Sequence, residues 1–302
     1  MTGDFKLYGI FGFPLGHTLS PAMQEAAFKA VGIKAFYLPF EVRPAEFRRL
    51  VRNRRRLLLD GFNVTVPYKE RALGLDRVSP EARAIGAVNT VVKRKNRWLG
   101  FNTDAAGFIA ALEKDGKFRV RGKRVLVLGA GGSARAVIYA LAKRGAKQIL
   151  VANRTVSRAR KIIRDFKEMF PRIQFSVQSL RAPRSGAKQS HPKRLLRPAA
   201  FSGSSRNDGL GVDLVVNATS VGLKPGDRAM IQPKLFPRKT LFVDLIYRPA
   251  ETRLLKLARK SGRRTMNGLG MLLYQGAEAF RLWTGKKAPV GVMRKALRGS
   301  SQ

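Results

Sequence analysis

The chain has 302 residues, 44% of them hydrophobic and none of them cysteine, and its 60 Lys and Arg against 19 Asp and Glu give a formal net charge of +41. A chain of this length predicts two domains rather than one small core; the missing cysteines exclude disulfides, thiolate catalysis and cysteine-ligated metal, and with only His17 and His191 a histidine-rich metal site is excluded too. No stretch approaches the ~18 uninterrupted apolar residues of a membrane span, and the N-terminal MTGDFKLYGI, with an acid at Asp4, lacks the basic-then-apolar order of a signal peptide, so a cytoplasmic location is expected.

The charge has two readings. Such a field attracts polyanions, nucleic acid among them, and it also steers small anions to an ordinary enzyme with a basic, solvated surface. The basic residues are spread along the whole chain without interleaved aromatics, which favours the second reading over a strand-binding groove.

In chain order, Lys6–Phe11 reads as a strand, Pro21–Val31 as a helix, Ala35–Val42 as a strand, Pro44–Arg52 as a basic helix and Leu57–Val66 as a strand. This alternation predicts parallel α/β layers. Ala87–Lys93 and Trp98–Phe101 read as two further strands separated by a charged turn. A second unit opens near Asp104: Ala105–Lys114 is helical, Lys123–Leu128 is a buried-type strand, Gly129–Ala134 a Gly-rich turn, Ala136–Arg144 a helix and Gln148–Ala152 a strand. That is a βαβ unit of about thirty residues, the size of a mononucleotide-binding half. Strands are expected at Ile173–Val177, Val212–Asn217 and Leu241–Leu245, and helices at Glu251–Lys260 and Leu269–Leu282. Between Leu180 and Gly211 the pattern gives way to Arg, Lys, Ser, Gly and Pro, which predicts a basic surface insertion.

The turn Gly129, Ala130, Gly131, Gly132, Ser133, Ala134 fits G-x-G-x-x-G/A between a strand and a helix. Gly129 permits the tight turn, Gly131 lets the backbone approach a pyrophosphate, and Ala134 lets helix pack on strand, so that phosphates rest on free N–H groups at the helix N-terminus. The next strand ends Asn153-Arg154-Thr155, with Arg158 one helical turn on. No acid stands there to bind ribose hydroxyls, and the planar guanidinium of Arg154 can grip a 2′-phosphate. The dinucleotide expected is therefore NADP.

Three polar clusters fall in loops or at strand ends: Thr18 and Ser20; Asn63, Thr65 and Lys69; and Asn89 with Asn102, Thr103 and Asp104. Taken singly, each has a plainer role. Ser20 suits the N-cap of a helix starting at Pro21, Asn89 a turn, and Lys69 with Asp104 a surface ion pair of little worth.

Taken together, the segments GHTLSPAMQEAAF, GFNVTVPYKE, GAVNTV, GFNTDAAGF, LGAGGSARAV, NRT, NATSVGL, DLIYRPAETRLL and NGLGMLLYQGAEAF resemble the shikimate dehydrogenase family, in that family's order and over nearly the whole chain. The resemblance implies a two-domain α/β enzyme. An N-terminal α/β substrate domain spans 1–103 and is completed by helices from 268–302, a Rossmann-type NADP-binding domain spans 104–267 and carries the insertion, and the active site lies in the cleft between them. It implies NADPH-dependent, reversible reduction of 3-dehydroshikimate to shikimate, on the route to aromatic amino acids. Lys69 becomes the proton-transfer residue and Asp104 its partner. Thr18 and Ser20 hold the substrate carboxylate with help from Tyr247, and Thr65, Asn89, Asp104 and Gln275 meet the ring hydroxyls. The nucleotide contacts fall on the Gly129–Ala134 turn, on Asn153 to Thr155, on Asn217 through Ser220 (Thr219 among them) and on Gly268 to Met271.

No metal is implied. The family's first carboxylate-binding hydroxyl is usually Ser and is Thr18 here, which leaves open the balance between shikimate and quinate; His17 beside it is expected to be structural. Two alternatives remain: a quinate or dual quinate/shikimate dehydrogenase, and a nucleic-acid-binding protein on a dehydrogenase scaffold. Either a monomer or a homodimer is compatible with the sequence. Rates with shikimate and quinate, each against NADP⁺ and NAD⁺, separate the enzyme readings: the shikimate–NADP⁺ combination is expected to be fastest, and a faster quinate–NAD⁺ rate supports the alternative.

Overall fold

In the computed structural model, residues 5–16, 18–95, 97–180 and 211–299 are described. The expected basic insertion lies outside the described residues over 181–210, and so does His17. The chain forms two compact units, one made of Met1–Asp115, Arg135–Val137 and Gly270–Gln302, the other of Gly116–Ala134 and Ile138–Leu269. The first division falls at Asp115, not at the expected 103/104, because the helix that begins at Asp104 is packed into the first unit.

The first unit opens with β1 (Lys6–Gly12), α1 (Ser20–Ala30), β2 (Ala35–Glu41), α2 (Pro44–Arg52), β3 (Gly61–Val64), β4 (Arg77–Val78), α3 (Pro80–Ile85), β5 (Thr90–Arg94), β6 (Arg97–Phe101) and α4 (Asp104–Ala110), which runs on into a π-helical turn at Ala111–Asp115. Its sheet has the order β2-β1-β3-β5-β6-β4. Strands β1, β2 and β3 are parallel, but β5 runs antiparallel to both β3 and β6. The layer is thus mixed and not parallel throughout: a two-residue connection from β5 to β6 permits only a hairpin, whereas a parallel pair needs a long crossover.

The strand expected over Leu57–Val66 is shorter on both sides. Leu58 is 88% exposed, which breaks the buried run before β3. After Val64 the chain turns, with the Thr65 carbonyl accepting the Tyr68 N–H at 2.8 Å. One face of this sheet is closed by aromatic packing. Phe47 of α2 stacks on Tyr68 at 4.2 Å between ring centroids, Phe11 meets Phe62 edge-on at 5.1 Å, and Trp98 lies 5.3 Å from Phe62. Stacking on Tyr68 anchors the turn that leads to Lys69.

The second unit contains β7 (Arg124–Leu128), α5 (Gly132–Lys143), β8 (Gln148–Asn153), α6 (Val156–Lys167), β9 (Gln174–Ser179), β10 (Leu214–Asn217), β11 (Leu241–Asp244), α7 (Arg253–Lys260) and β12 (Arg264–Met266). Every pairing is parallel, in the order β12-β11-β10-β7-β8-β9. This is the doubly wound 3-2-1-4-5-6 arrangement, which grows outward in both directions from the strand that precedes the Gly-rich turn. Buried Leu126, Leu128, Leu150, Val215 and Phe242 fill its core, the near-continuous apolar strands that a sheet covered on both faces requires. Helices α8 (Leu269–Thr284) and α9 (Val290–Gly299) follow, and from Gly270 onward they pack with the first unit. Among the described residues no helix is long and apolar enough to cross a membrane.

Replacing Phe47, which is fully buried, by Ala removes the ring that covers Tyr68. The expected loss is about 3–5 kcal/mol of first-unit stability, measured by urea unfolding; a loss below about 1 kcal/mol would show that the aromatic layer repacks.

Candidate active site

Lys69 follows the Thr65–Tyr68 turn, and its own carbonyl accepts the Val88 N–H at 2.8 Å, which fixes its backbone beside the segment that enters β5. Its Nζ lies 2.7 Å from Asp104 Oδ2. Lys69 is 9% and Asp104 3% exposed, so this is a buried pair and not the weak surface contact that the residue types taken singly allow. Asp104 is the first residue of α4, where the unpaired N–H groups of the first turn favour a carboxylate.

Asn89 is likewise no ordinary turn residue. Its Oδ1 accepts the Thr103 backbone N–H at 2.7 Å, and its Nδ2 donates to Asp104 Oδ1 at 2.8 Å. Gln275 of α8 brings Oε1 to 3.3 Å from the same Nδ2, and its own Nε2 donates to the Leu272 carbonyl at 2.9 Å. Lys69, Asp104, Asn89 and Gln275 thus form one buried cluster within the first unit.

Thr18 and Ser20 meet at the start of α1, where the Ser20 N–H donates to Thr18 Oγ1 at 3.3 Å. Ser20 is not the N-cap: it is the first helical residue, Leu19 holds the cap position and no side chain caps the helix. Ser20 is buried, and its hydroxyl makes no hydrogen bond among the described residues. Thr65 engages the sheet through its backbone, donating to the Phe11 carbonyl at 2.9 Å. Among the described residues, none of these three is bonded to the Lys69 cluster. Tyr247 belongs to the second unit and is half-buried.

In the second unit β7 ends at Leu128 and the chain reverses through Gly129, whose φ of 115° only glycine adopts without strain. The Gly129 N–H donates to the Ala152 carbonyl at 2.8 Å, and an added Cβ would lie 2.8 Å from the Ala218 carbonyl. Gly131 differs: a Cβ there meets nothing within 4 Å. It occupies the N-cap of α5, which has no side-chain cap and no acid in its first turn. Ala130, Gly132 and Ser133 are partly exposed around this opening, and Ala134 is buried against the sheet. An uncapped helix start beside open space fits a pyrophosphate.

Strand β8 ends at Asn153, whose Nδ2 donates to the Thr155 carbonyl at 2.8 Å. Arg154 and Arg158 are exposed, and their side chains carry no ion pair or hydrogen bond among the described residues. Such a site fits the 2′-phosphate of NADP better than the ribose hydroxyl of NAD. Thr219 Oγ1 donates to Asn217 Oδ1 at 2.7 Å, Gly268 donates its N–H to the Ile246 carbonyl at 3.0 Å, and Met271 is buried in α8.

Several supporting residues escape sequence reasoning. Asp244 is fully buried and accepts from both Asn217 Nδ2 and Thr252 Oγ1, at 3.0 and 2.7 Å, and from the Ile246 N–H at 3.0 Å. Burial pushes its carboxyl above the usual range, while these donors hold it back. The signal available was an acid ending an otherwise apolar strand, four residues wide. Thr90 and Tyr37 also join the polar interior of the first unit; a threonine directly after Asn89 and a lone hydroxyl on an apolar strand are the only sequence marks they leave.

The family described as "Shikimate dehydrogenase substrate binding domain" matches residues 10–91, "Shikimate / quinate 5-dehydrogenase" matches 111–181, and "Shikimate 5'-dehydrogenase C-terminal domain" matches 268–298. A shikimate dehydrogenase (NADP(+)) of Geobacter metallireducens is 40% identical over 297 residues, covering 98% of this chain and 96% of the relative. The chain belongs to the shikimate dehydrogenase family.

Solved structures agree. A shikimate dehydrogenase in complex with NADP+ superposes with a TM-score of 0.82 at 35% identity, over 99% of this chain and 96% of that one. Shikimate 5-dehydrogenase of Thermus thermophilus, in complex with NADP(H) and shikimate, does so with a TM-score of 0.79 at 36% identity, over 98% and 99%. The nine segments that carry the family resemblance include the polar positions described above from Thr18 to Gln275, except Tyr37 and Arg158, together with the unforeseen Asp244.

Asp244 ties the ends of β10 and β11 to the turn that follows Asn217. Asp244→Asn places an amide among groups that donate to the carboxylate. It is expected to destabilise the second unit by about 1–3 kcal/mol, read by thermal unfolding, and an unchanged midpoint would remove Asp244 from this role.

Proposed function

We propose that this chain is an NADP-dependent shikimate dehydrogenase, reversibly reducing the ring ketone of 3-dehydroshikimate to the shikimate hydroxyl, and that Lys69 and Asp104 carry its proton transfer. The buried Lys69–Asp104 pair is the observation that supports this most. Two buried charges held together next to amide groups are costly as mere structure, and they are suited to a reaction in which negative charge appears on an oxygen.

The substrate falls to the first unit. Thr18 and Ser20 offer hydroxyls to its carboxylate, with Tyr247 assisting. Thr65, Asn89, Asp104 and Gln275 bind the ring hydroxyls. For the dinucleotide, Gly129 to Ala134 hold the pyrophosphate, Asn153, Arg154, Thr155 and Arg158 the adenosine ribose and its 2′-phosphate, and Thr219, Gly268 and Met271 the nicotinamide end. Bound NADPH supplies the hydride.

Lys69 acts at the carbonyl oxygen. Its ammonium stabilises the developing alkoxide and gives up one proton from Nζ to complete the hydroxyl. In the oxidative direction the neutral amine takes that proton back. Asp104 fixes the direction of Nζ through Oδ2, and through Oδ1 it is itself fixed by Asn89. No metal is required, because the ammonium does the work of a Lewis acid.

Lys69→Ala is expected to lower kcat for shikimate oxidation by about 10²–10⁴-fold with the fold intact by circular dichroism; wild-type turnover by the folded variant overturns the assignment. Arg154→Ala is expected to raise KM for NADP⁺ about tenfold or more, because one charge-assisted hydrogen bond is lost, and to leave KM for NAD⁺ unchanged. An equal effect on both cofactors would place Arg154 outside the 2′-phosphate site.

A further inference from the structure

Behind Asn89 lies a buried polar chain that leads away from the Lys69–Asp104 pair to the edge strand β2. Tyr37, in the middle of the edge strand β2, is fully buried, and its hydroxyl lies 2.7 Å from Asn63 Oδ1. Asn63, on β3, directs Nδ2 to the Asn89 carbonyl and to Thr90 Oγ1, both at 3.0 Å. Thr90 Oγ1 in turn lies 3.1 Å from Asn89 Oδ1 and 3.0 Å from Thr103 Oγ1. Asn63 is 4% exposed and Thr90 is fully buried.

The donor and acceptor assignments in this chain are forced. A backbone carbonyl only accepts, so the Asn63 atom facing the Asn89 carbonyl is Nδ2, and its Oδ1 faces Tyr37. The phenol must then donate. A backbone N–H only donates, so the Asn89 atom 2.7 Å from the Thr103 N–H is Oδ1. Its Nδ2 is thereby turned toward Asp104 Oδ1, which leaves Oδ2 for Lys69. The Asn89 carbonyl sets the orientation of the Asn63 amide, and the Tyr37 hydroxyl holds it there by satisfying its buried Oδ1; Asn63 in turn holds the Asn89 carbonyl and Thr90 Oγ1, Thr90 meets Asn89 Oδ1, and Asn89 fixes the carboxylate that aims Nζ. Phe would fill the Tyr37 site as well for packing alone, between Trp283 at 6.0 Å and the sheet. The hydroxyl is the part that packing does not explain.

We propose that Tyr37 and Asn63 are positioning residues, and that the Tyr37 hydroxyl sets the geometry of proton transfer by orienting Asn89 and, through it, Asp104 and Lys69. This inference rests on the proposed dehydrogenase activity. It extends the working site by a layer of groups that never meet the substrate. In Tyr37→Phe the buried Asn63 Oδ1 loses its donor, and the amide is no longer held at that end. Asn89 then samples more than one pose, and the fraction of Lys69 aimed at the reacting oxygen falls. Substrate binding relies on several other groups and is little affected.

Wild type and Tyr37→Phe are compared for shikimate-dependent NADP⁺ reduction. Absence of activity in the wild type defeats the dehydrogenase reading itself. With an active wild type, Tyr37→Phe is expected to lose about tenfold in kcat, as misplacement of a reacting group does, with KM for shikimate within about twofold of wild type. The solvent deuterium isotope effect on kcat should grow as proton transfer becomes more rate-limiting. A folded Tyr37→Phe with wild-type kcat and isotope effect overturns the proposal. So does a loss of kcat and a rise of KM together with an unchanged isotope effect, because that is the signature of general loosening. If Tyr37→Phe fails to fold, Thr90→Val breaks the same chain at its next hydroxyl and is held to the same three readouts.

Discussion

A lysine and an aspartate stand 2.7 Å apart with almost no access to water, and most of the first unit can be understood as what that pair requires. Removing two charges from water costs several kcal/mol per ion and is offset only by close pairing and by hydrogen bonds to the remaining lone pairs. Asp104 meets this demand at both oxygens, one on Lys69 and one on Asn89, and it sits on the first turn of α4. Lys69 is delivered by a turn stacked beneath α2, and Asn89 by the segment entering β5. The antiparallel β5–β6 hairpin brings Thr103 and Asp104, 14 and 15 residues further on, back beside Asn89. A parallel connection through the two residues between β5 and β6 is impossible, so the mixed sheet is a condition of the cluster.

The second unit meets a different constraint, which is to leave groups unsatisfied. Helix α5 starts on a glycine with no capping side chain, beside open space. The side chains of Arg154 and Arg158 stand without partners among the described residues. These vacant donors and cations are poor for stability and good for a phosphorylated ligand. Their stability is recovered elsewhere: Asp244 draws Asn217, Thr252 and Ile246 together at the ends of β10 and β11. The excess of basic residues acts in the same direction, because substrate and dinucleotide are both anions drawn by a positive field, although at physiological salt the ~8 Å Debye length confines that attraction to short range.

Much of this was legible in the sequence, for physical reasons. The strands of the second unit are apolar runs bounded by turn residues, and the Gly-rich turn sits where the first of them feeds a helix, so both could be read directly. Helix α6 was not, because its apolar residues Ala159, Ile162 and Phe166 are diluted by arginines and lysines. Strand β12 is three residues long, too short to show a period. In the site, Lys69 and Asp104 were named, but only through the family resemblance; taken alone they looked like a surface pair, since burial is a tertiary property that a separation of 35 residues does not reveal. Ser20 looked like a helix cap and is the first helical residue instead. Tyr37 and Thr90 were silent because one hydroxyl on an apolar strand has no pattern to betray it.

The most direct measurement is the turnover of Asp104→Asn at saturating shikimate and NADP⁺. The amide keeps the shape and can still accept from Asn89, but it strips the opposing charge from Lys69. The account predicts a fall in kcat of about a hundredfold or more in a protein that unfolds cooperatively like the wild type. A folded variant turning over within about twofold of wild type would contradict it.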